Sequence, residues 1–164
     1  MPKQDSKEET LRGLVTFKIG DEEFGLELLS VQTIIRMVEP TQVPRSPDFV
    51  EGVINLRGSI IPIIDFRTRF NLPQKEAEKD TRIIVTEIEG KVVGFIVDSV
   101  SEVLRIPTSA IEPPPPIIGG IESDYISGVG KLEDRLLILI NLDRLLSETE
   151  KKEVEGFKKK QKKK

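Results

Sequence analysis

The segment Gly52-Val53-Ile54-Asn55-Leu56-Arg57-Gly58-Ser59-Ile60-Ile61-Pro62-Ile63-Ile64-Asp65 decides the fold. Short apolar runs lie on either side of Arg57-Gly58, a polar pair suited to a tight β-turn. Each run has the length of a strand and is too short for an ordinary helix. Pro62 has no N–H to give to a ladder, so it is expected at a sheet edge or bulge. The segment reads as a β-hairpin.

Three more hairpins lie outward from it. Residues 14–19 alternate, break at Gly20-Asp21-Glu22-Glu23 and resume at 24–28. Residues 82–88 and 92–97 flank Glu89-Gly90-Lys91, and 126–132 and 135–140 flank Glu133-Asp134. Helical signals are short. Asp65 and Asn141 are good N-caps for a turn or two over 65–70 and 141–146. A terminal helix is expected to start near Ser147-Glu148-Thr149-Glu150. Residues 71–80 read as a polar loop. Residues 112–120, with Pro113 to Pro116, read as an extended connector. Four hairpins with little helix predict an all-β barrel or sandwich.

The chain also repeats itself. Residues 14–36 align without gaps on 83–105: nine of eleven apolar positions stay apolar, and Gly25/Gly94, Val31/Val100 and Arg36/Arg105 are identical. Residues 52–70 align without gaps on 128–146. There Val53, Leu56, Ile60, Ile61, Ile63, Ile64, Phe66 and Phe70 all meet Val, Leu or Ile, and Gly52 meets Gly128. The offset is 69 in the first block and 76 in the second, so the extra residues fall in the proline stretch. Gaps belong in loops. Two similar β lobes follow, each too small to be comfortable alone and packed on the other.

Composition narrows the chemistry. The chain has 164 residues, 37% hydrophobic and 32% charged, with no Cys, His or Trp. Ser-His and Cys-His triads and Cys/His zinc sites are excluded. Disulfides are excluded, so secretion gains no support. No metal site, cofactor site or catalytic residue is expected. No apolar run approaches the roughly 20 residues of a membrane span, and the polar N-terminus is unlike a signal peptide, so a cytoplasmic protein without membrane insertion is expected. Residues 148–164 hold eight Lys and four Glu, leaving the body acidic against a net charge of −3. Nucleic acid is therefore not an expected partner. The Lys-rich end reads as a solvated tail.

The run 49–65, with Val31-Gln32, the stretch Gly94-Phe95-Ile96-Val97-Asp98-Ser99-Val100 and the closing Arg135-Leu136-Leu137-Ile138-Leu139-Ile140-Asn141, resembles the chemotaxis coupling protein family, CheW, over about 12–147. The resemblance implies two intertwined, SH3-like, five-stranded β-barrel lobes. It implies a non-catalytic adaptor that joins cytoplasmic tips of chemoreceptors to the regulatory domain of the chemotaxis histidine kinase, at membrane-attached receptor arrays. The organisation expected is a tail over 1–12, a CheW-like domain over 13–147 and a helix with a Lys-rich tail over 148–164. One lobe is expected around 42–106 and the other from 13–41 plus 107–147.

The expected receptor-binding residues are Val31, Gln32, Thr33, Gly52, Val53, Asn55, Leu56 and Arg57. Arg57-Gly58 is matched in the second copy by Glu133-Asp134, so the fold does not require an arginine at the tip. An ordinary solvated turn arginine is the plain reading. The resemblance favours a contact for a partner's carboxylates, which a guanidinium fork suits. Gly52 and Gly128 share a backbone reason, positive φ or close approach. Val31, Ile34 and Val53 read as core or as an exposed apolar patch. Many family members carry a glutamate where this chain has Thr33, so an ion pair there cannot form as such. Kinase-contact residues are unknown at this level. The rivals are an enzyme using Asp65 with Asp98 or Glu102, the regulatory barrel of a kinase-associated protein, and a small nucleic-acid-binding barrel. The chain length and missing His speak against the second, and the acidic body and 5% aromatics against the third.

Overall fold

The computed structural model describes residues 10–114, 117–118, 121–122, 125–146 and 150–152. Residues 1–9, Pro115, Pro116 and the tail from 153 lie outside them. Strands are β1 (Leu11–Ile19), β2 (Glu22–Glu27), β3 (Val31–Arg36), β4 (Gly52–Leu56), β5 (Ser59–Asp65), β6 (Arg82–Ile88), β7 (Lys91–Val97), β8 (Ser99–Pro107), β9 (Ile111–Glu112), β10 (Ile117–Ile118), β11 (Ile121–Glu122), β12 (Ile126–Lys131) and β13 (Leu136–Ile140). Short helices include α1 (Phe66–Arg69) and α2 (Leu142–Leu145), and the expected start of a terminal helix at 147–149 lies outside the described residues. The four expected hairpins all form: β1–β2, β4–β5, β6–β7 and β12–β13. Asp65 and Asn141 cap their helices, accepting from the Arg67 and Asp143 N–H groups. The proline stretch is not wholly a connector. Glu112 belongs to β9, which pairs with β12, and β10 pairs with β11. β1 starts at Leu11, inside the segment assigned to the tail.

The strands form two curled sheets, ordered β3-β6-β7-β5-β4 and β8-β1-β2-β13-β12-β9. One sheet has the expected five strands; the other has six because β9 joins its edge. The expected lobe boundaries put two strands in the wrong sheet. β3 falls by those bounds in the lobe of the two chain ends, but it pairs with β6 in the central sheet. β8 falls in the central lobe, but it pairs with β1. In each copy the chain leaves the opening hairpin, turns sharply at 28–30 or at Asp98, and crosses to the other sheet. Hydrophobic periodicity carries no information about which sheet a strand joins.

With that exchange, the repeat holds down to register. β3 on β6 and β8 on β1 share the same bulge, at Gln32 and at its equivalent Ser101. Ile63 of β5 pairs in parallel with Gly94, and its equivalent Leu139 pairs in parallel with Gly25. Thr41 bridges to Val53 where β9 pairs with the equivalent Val129. Bulges bend and twist a strand, and two at matching places curl the two sheets alike. Pro62 lies inside β5, not on an outer strand. Val53 opposite it directs its N–H and C=O to Thr41, so this is a non-hydrogen-bonded pair and the missing N–H faces away from β4. On that other side the pairing with β7 begins only at Ile63.

Three apolar clusters follow. Ile54, Ile61, Ile63, Ile83 and Val85 fill one sheet. Leu14, Ile106, Leu137 and Leu139 fill the other. The third and largest lies between the sheets and holds Phe17, Phe24, Phe66, Phe70 and Phe95 in a continuous stack, with centroids 4.7–5.8 Å apart. Ile54 is matched in the second copy by Gly130, and Ile106 packs into the space that its side chain would fill. Among the described residues no helix is long and apolar enough to cross a membrane.

Candidate functional site

The β4–β5 tip is a two-residue turn in which Arg57 has φ 54° and Gly58 φ 90°. Both central residues at positive φ mark a type I′ turn, which matches the twist of the flanking strands. Asn55 holds it, its Oδ1 accepting from the Gly58 N–H at 2.9 Å. A non-glycine residue in this conformation costs about 1 kcal/mol, and Asn or Gly would suit the turn better than Arg. The Arg57 side chain projects into solvent, and no hydrogen bond or ion pair to it is seen among the described residues. The equivalent Glu133-Asp134 tip has no positive φ and closes by the Leu132 N–H donating to the Arg135 carbonyl. The two tips therefore differ in backbone as well as in charge. Glu89-Gly90, at the end of β6–β7, repeats the Arg57-Gly58 geometry with an acid in the first place, φ 51° and 82°.

The other expected residues occupy both edges of the same sheet, β3 and β4. Gln32 and Asn55 are exposed, Val31, Thr33 and Leu56 half-buried, and Gly52 and Val53 buried. Gln32, the bulge residue, donates from Nε2 to Glu87 at 3.1 Å. Val31 packs against the shared core. Ile34 is 37% exposed and Val38 52%, giving the β3 edge an apolar rim. The curl brings Ile35 of β3 and Leu56 of β4 onto one cluster. Close approach explains the two glycines. A Cβ on Gly52 would lie 2.6 Å from the Thr41 carbonyl oxygen, and one on Gly128 would lie 2.8 Å from Ile111 and 3.0 Å from the Glu112 carbonyl oxygen. Gly52 and Val53 therefore shape the edge by seating residues 40–41, and present little surface of their own.

Beside this edge is a cleft of about 670 Å³ whose walls include Met37, Glu51, Asp65, Arg67, Lys75 and Asp98. Arg67 grips Asp98 with two bonds, Nε at 3.0 Å and Nη2 at 2.6 Å, and the Gly20 N–H donates to the same carboxylate at 2.8 Å. This ties the β1–β2 turn of one sheet to the helix that follows β5 of the other. Burial pushes the Asp98 carboxyl up, but the bonds from Arg67 and Gly20 outweigh it and hold it below the usual carboxylate range. Burial raises Asp65, and burial together with the nearby Asp65 charge raises Glu51. Asp65 and Asp98 do share the cleft, but one caps α1 and the other is bound by Arg67. Glu102 is elsewhere, 3.0 Å from Arg135, which also binds Glu23.

A pH prediction follows. A carboxylate held low in the folded state stabilises the fold above the unfolded value, near 4, and that stability is lost as pH falls through the folded value. Asp98→Asn should cost about 1 kcal/mol at neutral pH, a modest figure because solvent still reaches the pair. Urea melts should show this cost flat above about pH 5 and shrinking below about pH 4. A cost independent of pH would contradict the assignment.

Sequence reasoning missed this ion pair and others that join distant segments, Arg135 with Glu23 and Glu102 among them. Arg69 binds Glu150 at 2.7 and 3.0 Å and lies 5.8 Å from the Phe49 ring and 5.9 Å from the Tyr125 ring. Lys151, almost fully buried, donates to Glu89 at 2.8 Å. Partners 31 to 112 residues apart leave no local signal.

Comparison with known proteins gives the family. Residues 13–150 match the model of the CheW-like domain. The chain is 40% identical to "Chemotaxis protein CheW" of Klebsiella aerogenes over 134 residues, 82% of this chain and 81% of that one. It is 35% identical to the protein of the same name from Helicobacter pylori, over 88% and 86% of the two chains. Among solved structures it resembles the scaffolding protein TtCheW of Thermoanaerobacter tengcongensis, with a TM-score of 0.78 and 40% identity over 84% of this chain and 94% of that one. The family match and these similarities extend over nearly the whole folded body: the chain belongs to the CheW-like family.

Proposed function

We propose that the chain is a non-catalytic scaffold that couples chemoreceptors to the chemotaxis histidine kinase, binding the receptors' cytoplasmic tips and the kinase's regulatory domain at arrays on the cytoplasmic side of the membrane. The observation that carries this reading is the likeness, in fold and in sequence, to a protein described as a scaffold. The β3–β4 surface supports it: an apolar rim at Ile34 and Val38 lies on the sheet that also presents a solvated arginine on a turn that does not need one. Apolar area supplies affinity, and a rigid guanidinium supplies direction to partner carboxylates. Of the cleft carboxylates, Asp65 caps α1 and Asp98 is taken up in the cross-sheet ion pair with Arg67.

Arg57→Glu tests the receptor contact. Losing a charge-assisted bond costs about 1.5–3 kcal/mol, so binding to an immobilised receptor-tip fragment should weaken about 10- to 100-fold. Thermal stability should be unchanged, because Glu89 already occupies the same turn position before Gly90. Undiminished binding would remove Arg57 from the interface.

A further inference from the structure

The two copies of the repeat are not the two lobes. Each copy contributes strands to both sheets. In one sheet β1 pairs with β8 and β2 with β13; in the other β3 pairs with β6 and β5 with β7. All four ladders join a strand from the first half of the chain to one from the second. We infer that the half-chain is the unit of recognition: the segment up to Leu72 and the segment from Thr81 are obligate partners, each built to bind the other and not itself, and the loop between them is a dispensable tether.

The loop supports the tether role. Residues 73–80 are all exposed. Their bonds are mostly local: the Pro73 carbonyl accepts from Arg67, Gln74 donates to Thr68, and the Glu78 N–H donates to Thr81. Across to the second half, Lys75 lies 3.9 Å from Asp98, a loose ion pair.

Mutual specificity comes from side-chain size in the shared core. The first half supplies Phe17, Phe24, Phe66 and Phe70, and the equivalent positions of the second half hold Thr86, Val93, Leu142 and Leu146. All eight are buried. The Thr86 hydroxyl is satisfied there, donating to the Val93 carbonyl at 3.0 Å. The reverse, small against large, occurs at Leu26 and its equivalent Phe95. Two first halves would drive eight phenylalanines into a core that now takes five, and two second halves would leave it short of volume. Close-packed interiors tolerate neither overpacking nor voids. The partner that fits is the other half, from the same chain or from another copy.

The test uses the full chain with a protease site inserted between Glu76 and Ala77, cut after folding. A lysine-specific protease acting on the unmodified protein at Lys75 or Lys79 gives a second cut that needs no insertion. Tyr125 is the sole tyrosine and there is no Trp. Its ring lies 6.0 Å from that of Phe70 in the other half, so its fluorescence reports the association. The cut protein should elute as one 1:1 complex. Separated in urea, the halves should regain a cooperative transition only when remixed, with the tyrosine signal saturating at one equivalent. Halves that drift apart in native buffer, or a half that alone forms a stable dimer, would overturn the inference.

Discussion

Phe66→Ala should remove about 4 kcal/mol of stability, the usual cost of emptying a buried phenylalanine site. Phe66 is fully buried and its ring meets Phe17 at 5.3 Å, Phe70 at 5.2 Å and Phe95 at 4.7 Å. Phe17 belongs to one sheet and Phe95 to the other, so the ring joins the lobes. Total stabilities run to about 5–15 kcal/mol, so the urea midpoint should fall far while the transition stays single. Two separated transitions would mean that each lobe folds alone, against the interleaved pairing. Leu142→Ala, at the equivalent position in the second copy, should cost about 3 kcal/mol.

Gly52→Val should cost about 3 kcal/mol, near the upper end for overpacking. The added Cβ would lie 2.6 Å from the Thr41 carbonyl oxygen and 2.9 Å from Pro40. A backbone oxygen cannot rotate aside, so residues 40–41 must leave β4 and the two Thr41–Val53 bonds, 2.8 and 2.9 Å, must break. A thermal melt should show the loss, and amide exchange at Thr41 and Val53 should accelerate. Gly128→Ala should cost less, about 1 kcal/mol, because the backbone oxygen its Cβ meets, that of Glu112, lies at 3.0 Å and not 2.6 Å, and its nearer obstacle is a side-chain methyl of Ile111. Any receptor-binding defect in Gly52→Val should thus travel with lost stability, whereas the defect in Arg57→Glu should not.

Much of this was legible before any coordinates. Period-two runs around polar turns located all four hairpins, since alternation on a half-buried strand is a direct record of burial. The repeat was legible because both copies keep the same inward positions. The exchange of β3 and β8 was not: a strand such as 31–36 carries the same pattern whichever sheet receives it. Of the expected site, the charge difference between the Arg57 and Glu133 tips is plain in the repeat while their different turn backbones are not, and the shared need of Gly52 and Gly128 resolves to close approach. The burial of Val53 and the distribution of the candidates over two sheet edges depended on the curl, which no local pattern encodes. The Arg67–Asp98 and Lys151–Glu89 pairs depended on it equally.

Bridging is the central claim, and co-elution measures it most directly. The chain should be run on size exclusion with a receptor-tip fragment, with the kinase regulatory domain, and with both together. The account predicts two binary complexes and one larger complex holding all three components, with the receptor fragment displaced from both by Arg57→Glu. Mutually exclusive binding, or no complex with either partner, would contradict it.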